Sequence, residues 1–249
     1  MIVYTHPQGS PEWLEARRGV ITGSRAKDAR DRLADKAEKI DKKTGEIIPG
    51  VRGEPSAKQI TYAMDVARER CGRLAAQVYV NAAMRFGTEQ EPLARVAYEI
   101  QSGETVLEHG FFTTDDRLFG CSVDGLIGAD GMIEIKTMVS SDTLFKAVVD
   151  GENDAYIDQI LFGMWITGRK WCDLILWAPD LPTGQLTIRR IVRDDDVIEE
   201  LEADMIVFSR RVDDYERKLR AAMNPTKQAE RLYQPEIAAA PELPASLFD

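Results

Sequence analysis

Three charged side chains lie inside a largely apolar segment of the sequence, "GCSVDGLIGADGMIEIKT" at positions 120–137. They are Asp124, Glu134 and Lys136, and the residues around them are typical of strands and turns. A charge in apolar surroundings costs several kcal/mol unless it is paired with an opposite charge or bound to a metal ion. The segment therefore predicts that these three residues form an ion-pair cluster or bind a metal.

The two apolar runs of this segment predict a β-hairpin, because "GADG" between them is a good turn sequence. Side chains at positions i and i+2 of a strand share one face, so Glu134 and Lys136 project together. The turn brings Asp124, at the end of the first strand, close to Glu134. Two converging carboxylates repel each other unless a cation lies between them. A lysine beside them can position or deprotonate a water molecule, or stabilise a developing negative charge.

The order D-(x)n-E-x-K is the arrangement of metal-dependent phosphodiester cleavage. The spacing alone fits two structures, a nuclease site and a surface hairpin with an ordinary cross-strand ion pair. The apolar neighbours favour the nuclease interpretation, because an exposed hairpin more often carries polar ones.

The cysteine and histidine content restricts the kind of metal site. The three cysteines are scattered without a CxxC pair, and the chain has two histidines. This argues against a disulfide framework, a structural zinc site and an iron–sulfur cluster. Oxygen ligands remain, and they favour Mg²⁺, with Mn²⁺ as the alternative.

The composition predicts a globular protein of the cytoplasm. The chain has 249 residues, 44% of them hydrophobic and 30% charged. No apolar run approaches the roughly 20 residues needed to span a bilayer, and the N-terminus lacks a signal-peptide pattern. The net charge of −10 argues against a nucleic-acid partner at first. However, residues 1–60 carry 12 Lys and Arg against 9 Asp and Glu, so a local cationic groove on an acidic body is compatible with the sequence.

The helical pattern is strongest in the first hundred residues and near the C-terminus. Ser10 and Pro11 predict a helix start, and Gly19 predicts its end. The further predictions are a second helix from near Ser24, an exposed loop over 41–56, helix over 57–100 with a break at 85–87, a helix over 154–167, and a long amphipathic helix over 194–223 that ends before Pro225. In the second half of the 57–100 segment, the residues expected to face inward are Leu93, Val96, Ala97 and Ile100.

Strands are predicted between these helices. The segment 110–127 and "GMIEIKT" are expected to pair, and "WCDLILWAP" and "QLTIRRIVR" are predicted as two more strands with a Pro/Gly turn between them. Helices that flank a few strands indicate a single α/β domain with a small mixed sheet. Residues 225–249, rich in proline and alanine, are expected to form a flexible tail.

Four separated segments resemble the lambda exonuclease / YqaJ viral recombinase family, the alkaline exonucleases of phages and prophages. They occur in the order of the family and lie between about residues 10 and 180. The segments are "SPEWLEARRGVITGSRAKD", "FGTEQEPLARVAYE", "CSVDGLIGADGMIEIKT" and "AYIDQILFGMWITGRKWCDLILW". The resemblance implies a restriction-endonuclease-like core of the PD-(D/E)XK superfamily, here over residues 1–224.

The resemblance also implies roles for residues in the third segment and around it. Asp124, Glu134 and the carbonyl of Ile135 would bind one Mg²⁺, and Lys136 would orient the attacking water. Glu91 would reach a second metal position; its neighbour Glu89 is the alternative, although on a helix it should face elsewhere. On the fourth segment, Gln159 would act as a ligand or would position water near the nucleophile.

A separate set of residues matches the positions that the family uses to bind the 5′-phosphate of the digested strand. They are Arg17, Ser24 and, more weakly, Ser122. A guanidinium binds phosphate through two hydrogen bonds, and a serine at a helix N-terminus adds a hydroxyl and free N–H groups. The adjacent Arg18 is the alternative to Arg17, and a plain N-cap is the alternative role for Ser24.

The function implied by the resemblance is 5′→3′ digestion of linear double-stranded DNA, with release of 5′-mononucleotides and a 3′ single-stranded overhang. The family forms a homotrimeric ring and works with a single-strand annealing partner in phage recombination inside the bacterial host. Two alternatives share the same core: an endonuclease of the resolvase or nicking type, which needs no phosphate pocket, and a non-catalytic DNA-binding or assembly protein.

Overall fold

The structure is a computed structural model, and it describes residues 1–72 and 82–224. The predicted tail from Pro225 to Asp249 lies outside the described residues. Within the described ranges, no helix has the length and apolar character that crossing a bilayer requires.

The helices and strands alternate along the chain. The helices are α1 (Pro11–Arg17), α2 (Ala26–Arg30), α3 (Ala57–Arg70), α4 (Ala82–Ser102), α5 (Ser141–Leu144), α6 (Asp154–Thr167) and α7 (Asp195–Ala222). A 3₁₀ turn over Gly23–Arg25 precedes α2, and a π-helical turn over Phe145–Asp150 follows α5. The strands are β1 (Ile2–Tyr4), β2 (Ile21–Thr22), β3 (Lys39–Ile40), β4 (Ile47–Ile48), β5 (Val106–Leu107), β6 (Phe111–Thr113), β7 (Phe119–Cys121), β8 (Gly125–Ile127), β9 (Gly131–Thr137), β10 (Trp171–Trp177) and β11 (Leu186–Val192).

A mixed five-stranded sheet forms the centre of the domain, in the order β11-β10-β9-β8-β5. Strands β9 and β10 are parallel, and the other neighbours pair antiparallel. The connection from β9 to β10 passes through α6, as a parallel pair requires. A four-stranded sheet in the order β1-β6-β7-β2 packs beside it. The predicted α/β class with a small mixed sheet between helices is confirmed.

Helices cover both faces of the central sheet. The larger core lies against α3, α6 and α7, and α7 contributes apolar residues at helical spacing, among them Leu201, Met205 and Phe208. The smaller core lies on the other face, where Ile133 and Ile135 of β9 pack with residues of α4. Because side chains alternate along β9, the one residue between these two isoleucines points toward α6. This alternation fixes where Glu134 projects.

Several predicted elements agree closely with the structure. Helix α6 spans the predicted residues 154–167, and β10 and β11 are the two strands predicted around the Pro/Gly turn, which pair antiparallel. Helix α7 begins after Asp194, whose side chain accepts hydrogen bonds from the next turn. At α1, the hydroxyl of Ser10 accepts a hydrogen bond from the amide of Trp13, as an N-cap does.

The second predicted helix is much shorter than expected. It ends at Arg30, because the chain then turns back and pairs with its own continuation: Leu33 donates to the carbonyl of Glu54, and Lys36 and Val51 exchange hydrogen bonds. The predicted exposed loop is the end of this arm, where β3 and β4 form a short hairpin with exposed side chains. The paired backbone satisfies hydrogen bonds that a longer helix would have made.

The break predicted at 85–87 is wrong, because these residues lie inside α4; α3 already ends at Arg70. The predicted single strand over 110–127 is also wrong. It is divided into β6, β7 and β8, and the turn between β6 and β7 contains Arg117 with a φ of 59°. Strands β6 and β7 belong to the second sheet, and of these three strands β8 is the one that pairs with β9.

The predicted inner face of α4 is wrong for three of its four residues; the fourth, Ala97, is partly buried against the smaller core. Ala94 and Tyr98 are buried against the sheet, whereas Leu93, Val96 and Ile100 are 56%, 53% and 80% exposed. Residues three and four apart share a helix face, so the face that carries Ala94 and Tyr98 also carries Glu91. The orientation of α4 therefore directs a carboxylate, and not the larger aliphatic residues, toward the centre of the domain.

Candidate active site

The end of the β8–β9 hairpin brings two carboxylates together. In the antiparallel register Gly125 lies opposite Ile133, which places Asp124 opposite Glu134. One carboxylate oxygen of Asp124, Oδ2, accepts a hydrogen bond of 2.6 Å from the amide of Ile135. The predicted proximity of the two acids is confirmed, and it follows from the hairpin register.

Glu134 lies at the centre of a short polar network inside the domain. Its side chain is nearly inaccessible to solvent, and its Oε1 lies 2.7 Å from Nζ of Lys136. From α6, Gln159 donates from Nε2 to the same Oε1 at 2.6 Å and accepts from Lys136 at 3.1 Å. The ring of Tyr156, one turn earlier, lies 5.6 Å from Nζ of Lys136. Strand β9 and helix α6 thus position all of these groups together.

Glu91 approaches the same site from α4. It lines a cavity of about 460 Å³ whose wall also contains Asp124. Glu89 is exposed, as expected for a residue two positions away on a helix. The structure therefore places Glu91, and not Glu89, beside the carboxylates of the hairpin.

Burial raises the pKa of all three carboxylates. With repulsion from Asp124 it raises the pKa of Glu91 to about 7. The pKa of Glu134 is also raised to about 7, by burial and by repulsion from Asp124 and Glu91, against the lowering effect of Lys136. The pKa of Asp124 is also raised by burial, against the opposing effect of Lys136. Burial disfavours the charged form of Lys136, but Glu134 and Asp124 outweigh it and raise its pKa. The site holds more negative charge than its single lysine neutralises.

This donor set fits a hard divalent cation. Asp124, Glu134, Glu91 and the carbonyl of Ile135 offer oxygen only, which suits Mg²⁺ or Mn²⁺, and the excess of buried negative charge favours a cation. Within residues 1–72 and 82–224, no three His, Cys, Asp or Glu side chains converge closely enough to form a metal site by themselves. The carboxylates bond instead to the amide of Ile135, to Lys136 and to Gln159.

A second cluster surrounds Arg17. Its guanidinium carbon lies 4.2 Å from the ring centre of Trp13, and its Nη2 reaches Oγ of Ser24 at 3.5 Å. The indole Nε1 of Trp13 donates to Oγ of Ser122 at 3.2 Å. The three residues predicted to bind phosphate are thus brought together around one tryptophan.

Arg17 forms no ion pair with a carboxylate of residues 1–72 or 82–224. In the part of the chain that the structure describes, no carboxylate lies within salt-bridge distance of Arg17, whereas Arg18 pairs with Glu15 at 2.5 Å. Burial lowers the pKa of Arg17, which means that the charged form of its guanidinium is destabilised. A bound anion would stabilise the charged form again. Arg17 is therefore the arginine of this cluster, and Arg18 is a surface residue.

The position of Ser24 differs from the prediction. It lies in the 3₁₀ turn before α2 and does not cap a helix; Thr22 precedes the turn without a side-chain capping bond. Its hydroxyl lies 3.4 Å from that of Thr22. Ser24 is consequently available to an anion beside Arg17, without competition from an N-cap hydrogen bond.

Sequence reasoning missed one charged pair at the site. Arg95, one helical turn after Glu91, pairs with Glu108, and both line the cavity beside Asp124. The two histidines, His6 and His109, line it as well. The i, i+4 spacing of Glu91 and Arg95 was a signal that both project in one direction from α4.

A family model gives the first comparison with known proteins. The family model of the YqaJ-like viral recombinase domain matches residues 12–170, which contain every residue of both clusters. None of the curated protein sequences matches the chain.

Solved structures give a second comparison. An alkaline exonuclease, LHK-Exo from Laribacter hongkongensis, is 30% identical and has a TM-score of 0.70, with 90% of this chain and 100% of that chain covered. A complex of LHK-Exo with dAMP gives 31% identity, the same TM-score and the same coverage. A phage-related exonuclease from Haemophilus somnus 129PT shares the fold, with a TM-score of 0.63 at 13% identity over 80% of this chain and 96% of that one. Sequence and fold thus agree over the segment that builds the site, and the chain belongs to the YqaJ-like viral recombinase family.

Proposed function

We propose that the protein is a Mg²⁺-dependent 5′→3′ exonuclease that acts on the ends of linear double-stranded DNA. One observation carries the proposal: an acidic cluster that needs a cation lies two residues along the chain from a cluster that needs an anion. Asp124 belongs to the first, and Ser122, bonded to Trp13 beside Arg17, belongs to the second. Family membership and the likeness to an alkaline exonuclease support a nuclease.

In this proposal Asp124, Glu134, Glu91 and the carbonyl of Ile135 would hold two Mg²⁺ ions, with Mn²⁺ as a substitute. A divalent ion at such a site polarises the scissile phosphate and stabilises the leaving oxygen. Lys136 would hold the attacking water through its Nζ, because Glu134 and Gln159 fix the direction of that group. Water adds to phosphorus, the bond to the 3′ oxygen of the terminal nucleotide breaks, and that oxygen takes up a proton.

The direction of digestion follows from the Arg17 cluster. A terminal 5′-phosphate bound by Arg17, Ser24 and Ser122 would place the next phosphodiester at the carboxylates, one nucleotide along the strand. A guanidinium without a carboxylate partner is suited to that phosphate, since it donates hydrogen bonds in a planar fork. Repetition of the cycle would release 5′-mononucleotides and leave a 3′ overhang.

The experiment compares linear duplex with a 5′-phosphate against covalently closed circular duplex. With Mg²⁺ we expect mononucleotides from the linear DNA, none after chelation with EDTA, and an intact circle. A label at the 5′ terminus should appear as mononucleotide before an internal label does. Cleavage of the circle would instead identify an endonuclease, and the absence of Mg²⁺-dependent release would leave a non-catalytic DNA-binding protein.

We extend the proposal to the assembly. A homotrimeric ring around DNA would explain how a protein of net charge −10 keeps hold of a polyanion, because enclosure does not depend on bulk charge. Light scattering after gel filtration should then give three times the chain mass of 27.9 kDa. The place of action would be phage-type recombination in the bacterial cytoplasm with a single-strand annealing partner. Residues 1–224 would form the nuclease domain, and removal of residues 225–249 should leave nucleotide release unchanged.

A further inference from the structure

The cavity next to Asp124 has the size of a small-molecule site and is separate from the Arg17 cluster. Its volume of about 460 Å³ lies within the range of about 300–1,000 Å³ that is usual for ligand pockets. Its walls come from the segment before α1, from α4, from the segment before β6 and from the connection between β7 and β8, and they include His6, Gln8, Glu91, Arg95, His109 and Asp124. Arg17, Ser24 and Ser122 do not line it. We call this cavity the second compartment.

The charges of the second compartment single out Arg95. Glu91, Glu108 and Asp124 contribute three carboxylates, and Arg95 is the only lysine or arginine among the described residues of the wall. Its side chain is 13% exposed, it pairs with Glu108, and its Nε is buried without a hydrogen bond among the described residues. The carboxylate of Glu108, in contrast, is 71% exposed. Arg95 is thus held by the carboxylate of Glu108, and water can solvate that carboxylate if the ion pair separates.

We propose that the second compartment binds the nucleotide on the 3′ side of the scissile phosphate, and that Arg95 contacts the backbone phosphate of that nucleotide. The inference rests on the proposed function. A strand whose 5′-phosphate lies at Arg17 and whose scissile bond lies at Asp124 has to continue away from Arg17. The second compartment is a concave space whose wall contains two residues of the carboxylate cluster, Asp124 and Glu91.

The wall suits a nucleotide in other respects. His6 and His109 provide planar rings, and Gln8 provides donor and acceptor groups for a base edge. The three carboxylates would repel a phosphate, so binding there depends on the positive charge of Arg95 and on the cations of the neighbouring site. Glu108 competes with the phosphate for the same guanidinium.

The test measures binding of two probes by calorimetry, the mononucleotide dAMP and the 5′-phosphorylated trinucleotide pdApdApdA, with Ca²⁺ in place of Mg²⁺. Chromatography of the recovered trinucleotide verifies that it is intact. Arg95→Gln should lower the affinity for the trinucleotide about tenfold, as the loss of one hydrogen bond to a charged group implies. The affinity for dAMP should change less than twofold. Arg17→Ala should weaken both probes, because both carry the terminal phosphate.

Glu108→Gln provides the opposite change. It removes the competitor of the phosphate, so the trinucleotide should bind about two- to fivefold tighter, whereas a purely structural ion pair predicts equal or weaker binding. This variant decides the question even where Arg95→Gln does not fold. Two results would contradict nucleotide binding in the second compartment: Arg95→Gln weakens the binding of both probes equally, or Glu108→Gln does not increase the affinity for the trinucleotide. In either case Mg²⁺-dependent digestion by the parent protein would still be observed. Failure of the proposed function has a different result: the parent then binds neither probe and releases no nucleotide.

Discussion

Lys136 and Glu134 form an ion pair on one face of β9, with 2.7 Å between Nζ and Oε1. The pKa of Lys136 is raised by Glu134 and Asp124 in spite of burial. Its amine is therefore protonated at neutral pH as long as these carboxylates are charged. A protonated lysine donates hydrogen bonds and stabilises negative charge, so among the roles considered for Lys136 the geometry favours orientation of water over its deprotonation.

We expect Lys136→Ala to lower kcat on 5′-phosphorylated linear duplex by about 10²–10³-fold, the usual effect of removing one preorganised donor. Duplex affinity should stay within about threefold, because Lys136 contributes little of the DNA-binding surface. Single-turnover digestion and a filter-binding assay measure the two quantities. Lys146→Ala is the matched control: this lysine is 56% exposed and pairs with Asp142 at the surface. Equal activity in both variants would remove Lys136 from the mechanism.

Arg17→Ala should abolish the preference for a 5′-phosphate. In the parent we expect digestion of 5′-phosphorylated ends to be at least tenfold faster than that of 5′-hydroxyl ends, since a charged hydrogen-bonded pair is worth about 1.5–3 kcal/mol. Arg18→Ala should retain the preference, because Arg18 pairs with Glu15 outside the cluster. Initial rates on the two ends give the ratio directly. A parent enzyme that digests both ends equally would contradict the role assigned to the Arg17 cluster.

Glu134→Gln should change how the stability of the metal-free protein depends on pH. The folded protein holds the proton of Glu134 up to about pH 7, above its ordinary pKa of 4.5. Between these values the folded state binds more protons than the unfolded state, so the contribution of Glu134 to the free energy of unfolding falls as pH rises. Glutamine cannot ionise, and the variant therefore escapes that loss, which is about 1.4 kcal/mol per pH unit at most.

Thermal unfolding in EDTA at pH 5 and pH 8 tests this expectation. The Tm of Glu134→Gln relative to the parent should be a few degrees higher at pH 8 than at pH 5. The exposed carboxylate Glu89 supplies the control, because Glu89→Gln should give the same Tm difference at both pH values. If the Tm differences of the two variants depended on pH in the same way, the raised pKa assigned to Glu134 would be wrong.

Local patterns were sufficient for the elements that position the site. Glu134 and Lys136 are two residues apart on a strand, so their common face follows from the strand period alone, and the turn after β8 fixes Asp124 opposite Glu134. The contact of Gln159 with both residues depends on how α6 packs on the sheet. That packing is tertiary, and only the family resemblance indicated it in advance.

Helix α4 shows why its contribution to the site could not be predicted from the sequence. Its aliphatic residues suggested an inner face at Leu93, Val96 and Ile100, yet the buried face carries Ala94 and Tyr98 with Glu91. Hydrophobic periodicity assumes that burial of apolar side chains decides the orientation of a helix. In α4 the orientation also satisfies a tyrosine hydroxyl and brings a carboxylate and an arginine to the cavity, which composition alone does not reveal.

The buried partner of that tyrosine gives a stability prediction that separates the two faces of α4. The hydroxyl of Tyr98 donates to Oδ2 of Asp173 at 2.6 Å, and Arg190 binds the same carboxylate with two hydrogen bonds of 2.8 Å. Tyr98→Phe removes one of three hydrogen bonds to a buried charge, so we expect the free energy of unfolding to fall by about 1–3 kcal/mol. Ile100→Ser, on the outer face at 80% exposure, should change it by no more than about 0.5 kcal/mol. Urea unfolding of both variants measures the difference, and a larger loss with Ile100→Ser would mean that the outer face of α4 is covered in solution.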